Sequence, residues 1–402
     1  MSQNELPPPI LVEDEKGLAE LVEDLSGQRE IAFDTEADSF YSYREKVCLV
    51  QVTVEDRDYV VDPLGGLDLA PLGPVLADPD KIKVFHDGEY DVLILKREHG
   101  FEFAGIFDTR VAAATLGMEA PGLAAVLHEH FDVEIDKSMQ RSDWAKRPLT
   151  EKQIQYARFD THYLLPLMDE LKTELEERGR AMIVDAECRR LEALEPVPPR
   201  FHPDEFVKVK GVRKLEQSAW QTVRELYSLR EELAEKADVP PFRIMRNPTM
   251  LDVARIQPKS GSELGKISGF SARMVRSFGD RVLKALDHAR ELGPLKKLPI
   301  LPKRDGTEGM SEIESELYDR LKKWRKGVAE RKKIEASYLL NRHTMARIAR
   351  TRPKTSDQLA GVEGFHPWQV EMFTKDLMEL ANDFEAAVKA GEVPRRKPWR
   401  RR

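Results

Sequence analysis

Four acidic side chains and one phenol carry the chemical potential of this sequence. The apolar run Ile31, Ala32, Phe33 ends in Asp34 and Glu36. Such a run reads as a buried strand. Side chains alternate faces along a strand, so the two carboxylates project together. At the end of a core strand they repel each other and lose solvation, which a fold tolerates if a cation compensates them or if one of them holds a proton. A hard divalent cation, Mg²⁺ or Mn²⁺, suits carboxylate and water oxygens. An isolated Asp-x-Glu is more often a pair of surface acids capping a strand, so the rest of the chain must decide. Asp91 closes the stretch HDGEYD over 86–91, after a strand end and a glycine turn. Asp160 lies in QIQYARFDTHYLLP over 153–166, four residues after Tyr156. That spacing puts phenol and carboxylate on one helical face, and a core helix could present both to the strand-end acids.

The elements needed to assemble these groups can be read in order. A helix over 15–26 precedes the acidic strand, and strands over 47–54 and 58–62 follow with a charged turn between them. Three short-looped strands in succession indicate an antiparallel meander. A helix near 69–76, a strand over 81–85, a helix through Arg97 and a short strand over 105–108 come next. Helices near 109–116, 123–130, 151–178 and 181–195 complete a mixed α/β layer with helices covering the sheet. Asp108 is placed to cap a helix, Asp38 to close the turn after the acidic strand, and His86 and Asp87 flank a turn. His128, His130 and His162 have no partner spacing. Lys137, Gln140 and Arg141 precede the helix of Tyr156, where their donors could meet a substrate backbone.

The chain has 402 residues, enough for several domains. Its two cysteines exclude a disulfide framework, and no Cys/His cluster has zinc spacing; Cys48 reads as a core residue. The start MSQNELPPPI lacks the blocks of a signal peptide and no run approaches a membrane span, so a cytoplasmic protein is expected. The net charge of −7 hides a division. Residues 1–199 hold 21 Lys and Arg against 42 Asp and Glu, a net −21, and residues 200–402 hold 43 against 29, a net +14. An acidic half joined to a basic one suggests a polyanion handled by the first and held by the second.

The Pro-rich segment from residue 196 marks a linker, and a second Pro/Gly-rich linker begins at residue 293. The regions flanking that second linker are an internal repeat. Leu226, Arg230, Ala234, Glu235, Met250, Ala254, Arg255, Pro258, Lys259, Leu264, Gly269 and Phe270 all recur 95 positions later, from Leu321 to Phe365, without a gap. The expected division is 1–195, linker 196–213, helical unit 214–292, linker 293–311, helical unit 312–390 and basic tail 391–402. In the second unit RLKKWRKGVAERKK, over 320–333, has eight Lys and Arg against one Glu. Lys322, Lys323, Arg325 and Lys326 there, with the tail RRKPWRRR over 395–402, are candidate contacts to nucleic-acid phosphates.

The pair Asp34-x-Glu36, the turn from His86 to Asp91, and Tyr156-x-x-x-Asp160 resemble the three motifs of the DEDD exonuclease superfamily. The tyrosine four residues before the last aspartate is similar to its DEDDy branch; the histidine branch would place its residue where this chain has Gln155. KSMQRSDWAKRPL over 137–149, followed by the Tyr156 helix and YLLP over 163–166, resembles the ribonuclease D family, and the repeat resembles its tandem HRDC modules. The resemblance implies a ribonuclease-H-like 3′→5′ exonuclease domain, a mixed sheet flanked by helices, followed by two all-α HRDC-like domains. It implies a metal-dependent 3′→5′ exoribonuclease releasing 5′-mononucleotides, with Asp34, Glu36, Asp91 and Asp160 as ligands of two divalent ions (Mg²⁺ or Mn²⁺). Two ions roughly 4 Å apart can activate water and stabilise the leaving oxygen. Tyr156 would orient the attacking water. Substrates implied are tRNA precursors and other small structured RNAs, handled by a monomer. A 3′→5′ DNA exonuclease acting in repair, on single-stranded DNA, is the first alternative, although no Gly-x-x-x-x-Gly-Lys-Ser/Thr helicase loop is present. A non-catalytic RNA-binding scaffold is the second, disfavoured because it has no need of four acids.

Overall fold

The computed structural model describes residues 6–198, 200–302 and 306–393. The tail motif over 395–402 lies outside the described residues. A six-stranded sheet has the order β1-β4-β3-β2-β5-β6. Its strands are β1 Ile10–Val12, β2 Glu30–Ala37, β3 Val47–Val54, β4 Arg57–Val61, β5 Ile82–Phe85 and β6 Ile106–Asp108. β2, β3 and β4 form the expected antiparallel meander. β5 pairs parallel to β2, and β6 to β5. Every residue of β3 is buried, because helices cover both faces of the sheet centre. β1 was not expected: it is a three-residue edge strand with Ile10 and Leu11 half exposed, too short for an alternating pattern.

Two helical expectations are corrected. The single helix over 151–178 is two, Glu151–His162 and Leu164–Glu177, broken at Tyr163. Pro166 lacks an amide hydrogen, and its ring would clash with the carbonyl of His162 in a continuous helix. The helix near 69–76 is a tight turn at Ala70–Leu72 running into the short helix Gly73–Ala77, in a stretch punctuated by Pro71 and Pro74. The break at Tyr163 lets Leu164–Glu177 pack under β2 and β5 while Glu151–His162 crosses β2, β3 and β4.

The repeat is structural as well as sequential. Trp220–Ala237, Pro241–Ile244, Asn247–Ile256, Gly261–Leu264 and Ala272–Leu292 recur as Glu312–Lys332, Ala336–Leu339, Arg342–Thr351, Ser356–Ala360 and Pro367–Lys389. Left-handed C-caps recur at Asp238 and Lys333, and at Gln257 and Arg352. Gly269 and Gly364 have φ of +80° and +78°, and a Cβ would come within 2.3 and 2.8 Å of the Thr249 and Thr344 hydroxyls. Only glycine fits there.

The two helical units are built into the molecule differently. The first has its own core, which includes Phe206, Val207, Val209 and Val212 from the stretch expected as a linker, and Leu298 from the second one. The second shares one continuous core with the sheet domain, joining Leu317, Leu339, Phe373 and Phe384 to the sheet residues. At that seam Arg180 donates to the Lys332 carbonyl at 3.0 Å and Arg110 to the Tyr338 hydroxyl at 3.5 Å. Among the described residues, no helix is long and apolar enough to cross a membrane.

Candidate active site

Asp34 and Glu36 project from one face of β2, between β3 and β5, at the floor of a cleft of about 350 Å³. Asp160 comes from the helix Glu151–His162, and oxygens of Asp34, Glu36 and Asp160 lie within 4.8 Å of one another. Asp91, at the start of the helix Glu89–His99, also lines the cleft. Its Oδ1 accepts from the Thr35 amide at 3.0 Å and the Thr35 hydroxyl at 2.5 Å, which ties the second acidic element to the first. Tyr156 lines the same cleft, one helical turn before Asp160 on the helix Glu151–His162. The five residues read from the sequence as one constellation are thus brought together.

Local chemistry explains their placement. At the turn before Asp91, the Asp108 carboxylate accepts from the amides of Asp87 (3.2 Å) and Gly88 (2.8 Å) while also capping its own helix. A Cβ on Gly88 would sit 2.6 Å from that of Phe85, so the turn closes only with glycine. The Tyr156 helix begins in a capping box between Thr150 and Gln153. It is bolted to the sheet from behind: Arg158 and His162 reach the Asp58 carboxylate at 2.5 and 2.9 Å, and Thr161 meets Thr53 at 2.8 Å. Burial alone would raise Asp58, but the hydrogen bonds from His162 and Thr53 and the charge of Arg158 hold it below the usual carboxylate range. Arg147, bonded to Asp62 and the Cys48 carbonyl, fixes the loop entering this helix.

The electrostatics of the cleft follow from concentrated negative charge. Burial first, then repulsion from its neighbours, pushes Glu36 up to about 9. Asp160 rises to about 8 through burial and Asp91. Asp91 rises to about 6 through burial, moderated by Thr35. Asp34 is held well above its ordinary value by burial and by all three other acids. Carboxylates this reluctant to ionise alone, converging with an all-oxygen donor set, fit a hard divalent cation. Burial and the Asp160 charge also push the Tyr156 phenol upward, so it keeps its proton.

The remaining expected residues fall in several places. Lys137 and Gln140 line the cleft. Arg141 does not; its guanidinium carbon lies 5.9 Å from the centre of the Phe40 ring. Lys322, Lys323 and Lys326 are exposed on the helix Glu312–Lys332, away from the cleft. Arg325 departs from the expected outward charge: its Nη1 donates to the Leu340 carbonyl at 2.6 Å, as Arg230 donates to Met245 in the other repeat. It braces the repeat, which is why the repeat keeps an arginine there. His86 lines the cleft, bonds Thr109 at 2.9 Å, and is pushed down to about 3 by burial and Arg110, so it stays neutral. His130 pairs with Glu170, and His162 with Asp58, both in supporting roles. Thr35, Tyr90 and Arg110 also line the cleft and were missed. Thr35 lies between the two strand acids and Tyr90 beside Asp91, and that adjacency was the only signal for them.

Comparison with known proteins agrees with this geometry. The 3′-5′ exonuclease family model matches residues 9–176, and the HRDC domain model matches 221–286 and 314–380. Ribonuclease D of Sphingobium indicum is 31% identical over 390 residues, which are 95% of this chain and 97% of that protein. The crystal structure of Escherichia coli RNase D, described as an exoribonuclease involved in structured RNA processing, superposes with a TM-score of 0.63 at 26% identity, covering 94% of this chain and 99% of the other. The catalytic core of RRP6 from Trypanosoma brucei gives a TM-score of 0.65 at 30% identity, covering 73% of this chain and 82% of that one. The chain belongs to the ribonuclease D family and is a metal-dependent 3′→5′ exoribonuclease.

Proposed function

We propose that this enzyme trims the 3′ ends of tRNA precursors and other small structured RNAs in the cytoplasm, acting as a monomer with two divalent ions, Mg²⁺ or Mn²⁺, held by Asp34, Glu36, Asp91 and Asp160. The observation that carries the reading is the convergence of these acids with Tyr156 in one cleft. Bound ions supply charge neutralisation at the scissile phosphate and lower the pKa of water. The protein's own groups do the positioning. Thr35 fixes the Asp91 carboxylate through its amide and hydroxyl. Tyr156, protonated throughout the working pH range, orients the attacking water through its hydroxyl rather than taking a proton from it. Lys137 and Gln140, on the cleft wall, are the donors offered to the RNA backbone. End-labelled tRNA precursor and matched single-stranded RNA and DNA, incubated with Mg²⁺ or Mn²⁺ and with EDTA, test the reading. Stepwise shortening of the RNA from its 3′ end, abolished by EDTA, is expected. Preferential degradation of DNA, or binding of RNA without hydrolysis under every metal condition, would overturn it.

A further inference from the structure

A fully buried amide in the sheet domain has no partner in the protein. Gln51 stands in the middle of β3 with none of its surface exposed, and neither its Nε2 nor its Oε1 meets a hydrogen-bond partner among the described residues. A primary amide carries two donors and an acceptor, and burying them unpaired is unfavourable. Its neighbours on the same face of the strand are provided for. Leu49 packs into an apolar cluster with Val60, Trp144 and Ala157, and the Thr53 hydroxyl donates to the Thr161 hydroxyl at 2.8 Å. The helix Glu151–His162 closes over this face, so bulk water does not reach the amide.

Strand register places the amide beside the cleft. Gln51 is paired with Asp34 of β2 on one side and with Val60 of β4 on the other. Residues directly opposite on antiparallel strands point to the same face, with Cβ atoms about 5 Å apart. The Gln51 side chain therefore rises from the face that carries Asp34 and Glu36, under the helix that carries Tyr156 and Asp160. A glutamine side chain is long enough to span that gap to a carboxylate. The residue type also suits the place. A carboxylate here would add its repulsion to the acids already in the cleft, and an ammonium would compete with a cation for them. An amide donates hydrogen bonds and adds no charge.

Carboxylates that ligate a metal are oriented by hydrogen bonds from groups behind them. We propose that Gln51 is a positioning residue of the metal site: with a divalent cation bound, its amide donates to the Asp34 carboxylate and holds it in the orientation the cation needs. Gln51 thereby serves Asp34 as Thr35 serves Asp91. The inference rests on the reading of these acids as the seat of a divalent cation.

The test uses the full-length protein and Mn²⁺. Gln51→Met and Gln51→Leu replace the amide with apolar side chains of similar size. In EDTA both variants should melt no lower than the parent, because an apolar group in place of a buried, unpaired amide relieves a penalty. Their Kd for Mn²⁺, by calorimetric titration, should rise about 10–100-fold. The Mn²⁺ concentration needed for half-maximal cleavage of an RNA dinucleotide should rise by the same factor. Variants that bind Mn²⁺ as the parent does overturn the inference. Variants that melt well below the parent in EDTA overturn it too, since the amide would then be serving the fold. One folded variant is enough for the titration, and failure of both to fold counts as that second result. A parent that binds no Mn²⁺ overturns the reading of the acids as a metal seat, and the inference with it.

Discussion

Stripped of metal, this protein should lose stability as pH rises, and Glu36 should be one of the causes, beside Asp34 and Asp160. The Glu36 carboxyl is pushed up to about 9 in the folded state from an ordinary 4.5. Between those values the unfolded chain has released a proton that the folded one still holds, so folding grows less favourable with each unit of pH. The stabilising contribution is complete below 4.5 and exhausted only near 9. From pH 5 to 8 the full effect of one such group would be about 4 kcal/mol, at about 1.4 kcal/mol per unit. Glu36 is partly open to the cleft, so about 2 kcal/mol is the expected share. For a domain of this size that corresponds to a fall in Tm of about 4–8 °C. The assay is thermal unfolding in EDTA at pH 5 and pH 8, for the parent and for Glu36→Gln, whose neutral amide removes the titration. Mg²⁺ or Mn²⁺ at pH 8 should restore the parent, since binding to the folded state alone stabilises it, and should do little for the variant. Asp34→Asn should likewise melt higher than the parent without metal while losing hydrolysis. A metal-free parent with a flat Tm across this range, or a Glu36→Gln variant falling as steeply as the parent, would refute the reasoning.

Other outcomes can be checked on the same protein. Tyr156→Phe should lower kcat by about a hundredfold with KM nearly unchanged, because an oriented water matters mainly in the transition state; steady-state kinetics separate the two. Replacing Lys322, Lys323 and Lys326 together by alanine should weaken binding of long RNA and flatten its logarithmic salt dependence by about 2, the value for three lost phosphate contacts on a single strand; filter binding across a salt series measures it, and the dinucleotide rate should not change. Asp58→Ala leaves Arg158, only 2% exposed, without its counter-charge, and should cost about 3–5 kcal/mol by denaturant unfolding.

What was legible in the sequence was whatever is written in local spacing. Asp34 and Glu36 are two apart on a strand and Tyr156 and Asp160 four apart on a helix, so geometry within one element fixed their shared direction before any fold was known. The repeat was equally plain, because the same packing and cap requirements recur at Arg230 and Arg325 and at Gly269 and Gly364. The break at Tyr163 was written too, in Pro166, but the strong helical pattern on both sides concealed it. Side chains whose partners are distant were not legible. Nothing near Asp108 says that its carboxylate holds the amides of Asp87 and Gly88, and nothing near Asp58 says that it anchors the helix of Tyr156. Arg325 was misread for the same reason: in a run of charges it looks like its neighbours, and only the Leu340 carbonyl separates it from them.

The least legible feature bears most on how the two helical repeats should be probed. Their sequences are similar enough to suggest interchangeable handles for RNA, yet the first keeps a private core while the second shares its core with the sheet. Cutting the chain after the sheet domain would strip Leu317, Leu339, Phe373 and Phe384 from that shared core and expose the sheet-domain residues they cover. Each large apolar side chain so exposed costs about 1.5–3 kcal/mol. Any loss of activity in a truncated enzyme would then report a damaged catalytic domain as readily as a lost handle. Surface substitutions at Lys322, Lys323 and Lys326, which leave the core intact, separate the two. The first repeat meets the sheet domain through Tyr41, Tyr43 and Arg44 on one loop. Among the described residues these polar contacts fall on one loop, where single side chains are enough to test the repeat's influence on the cleft.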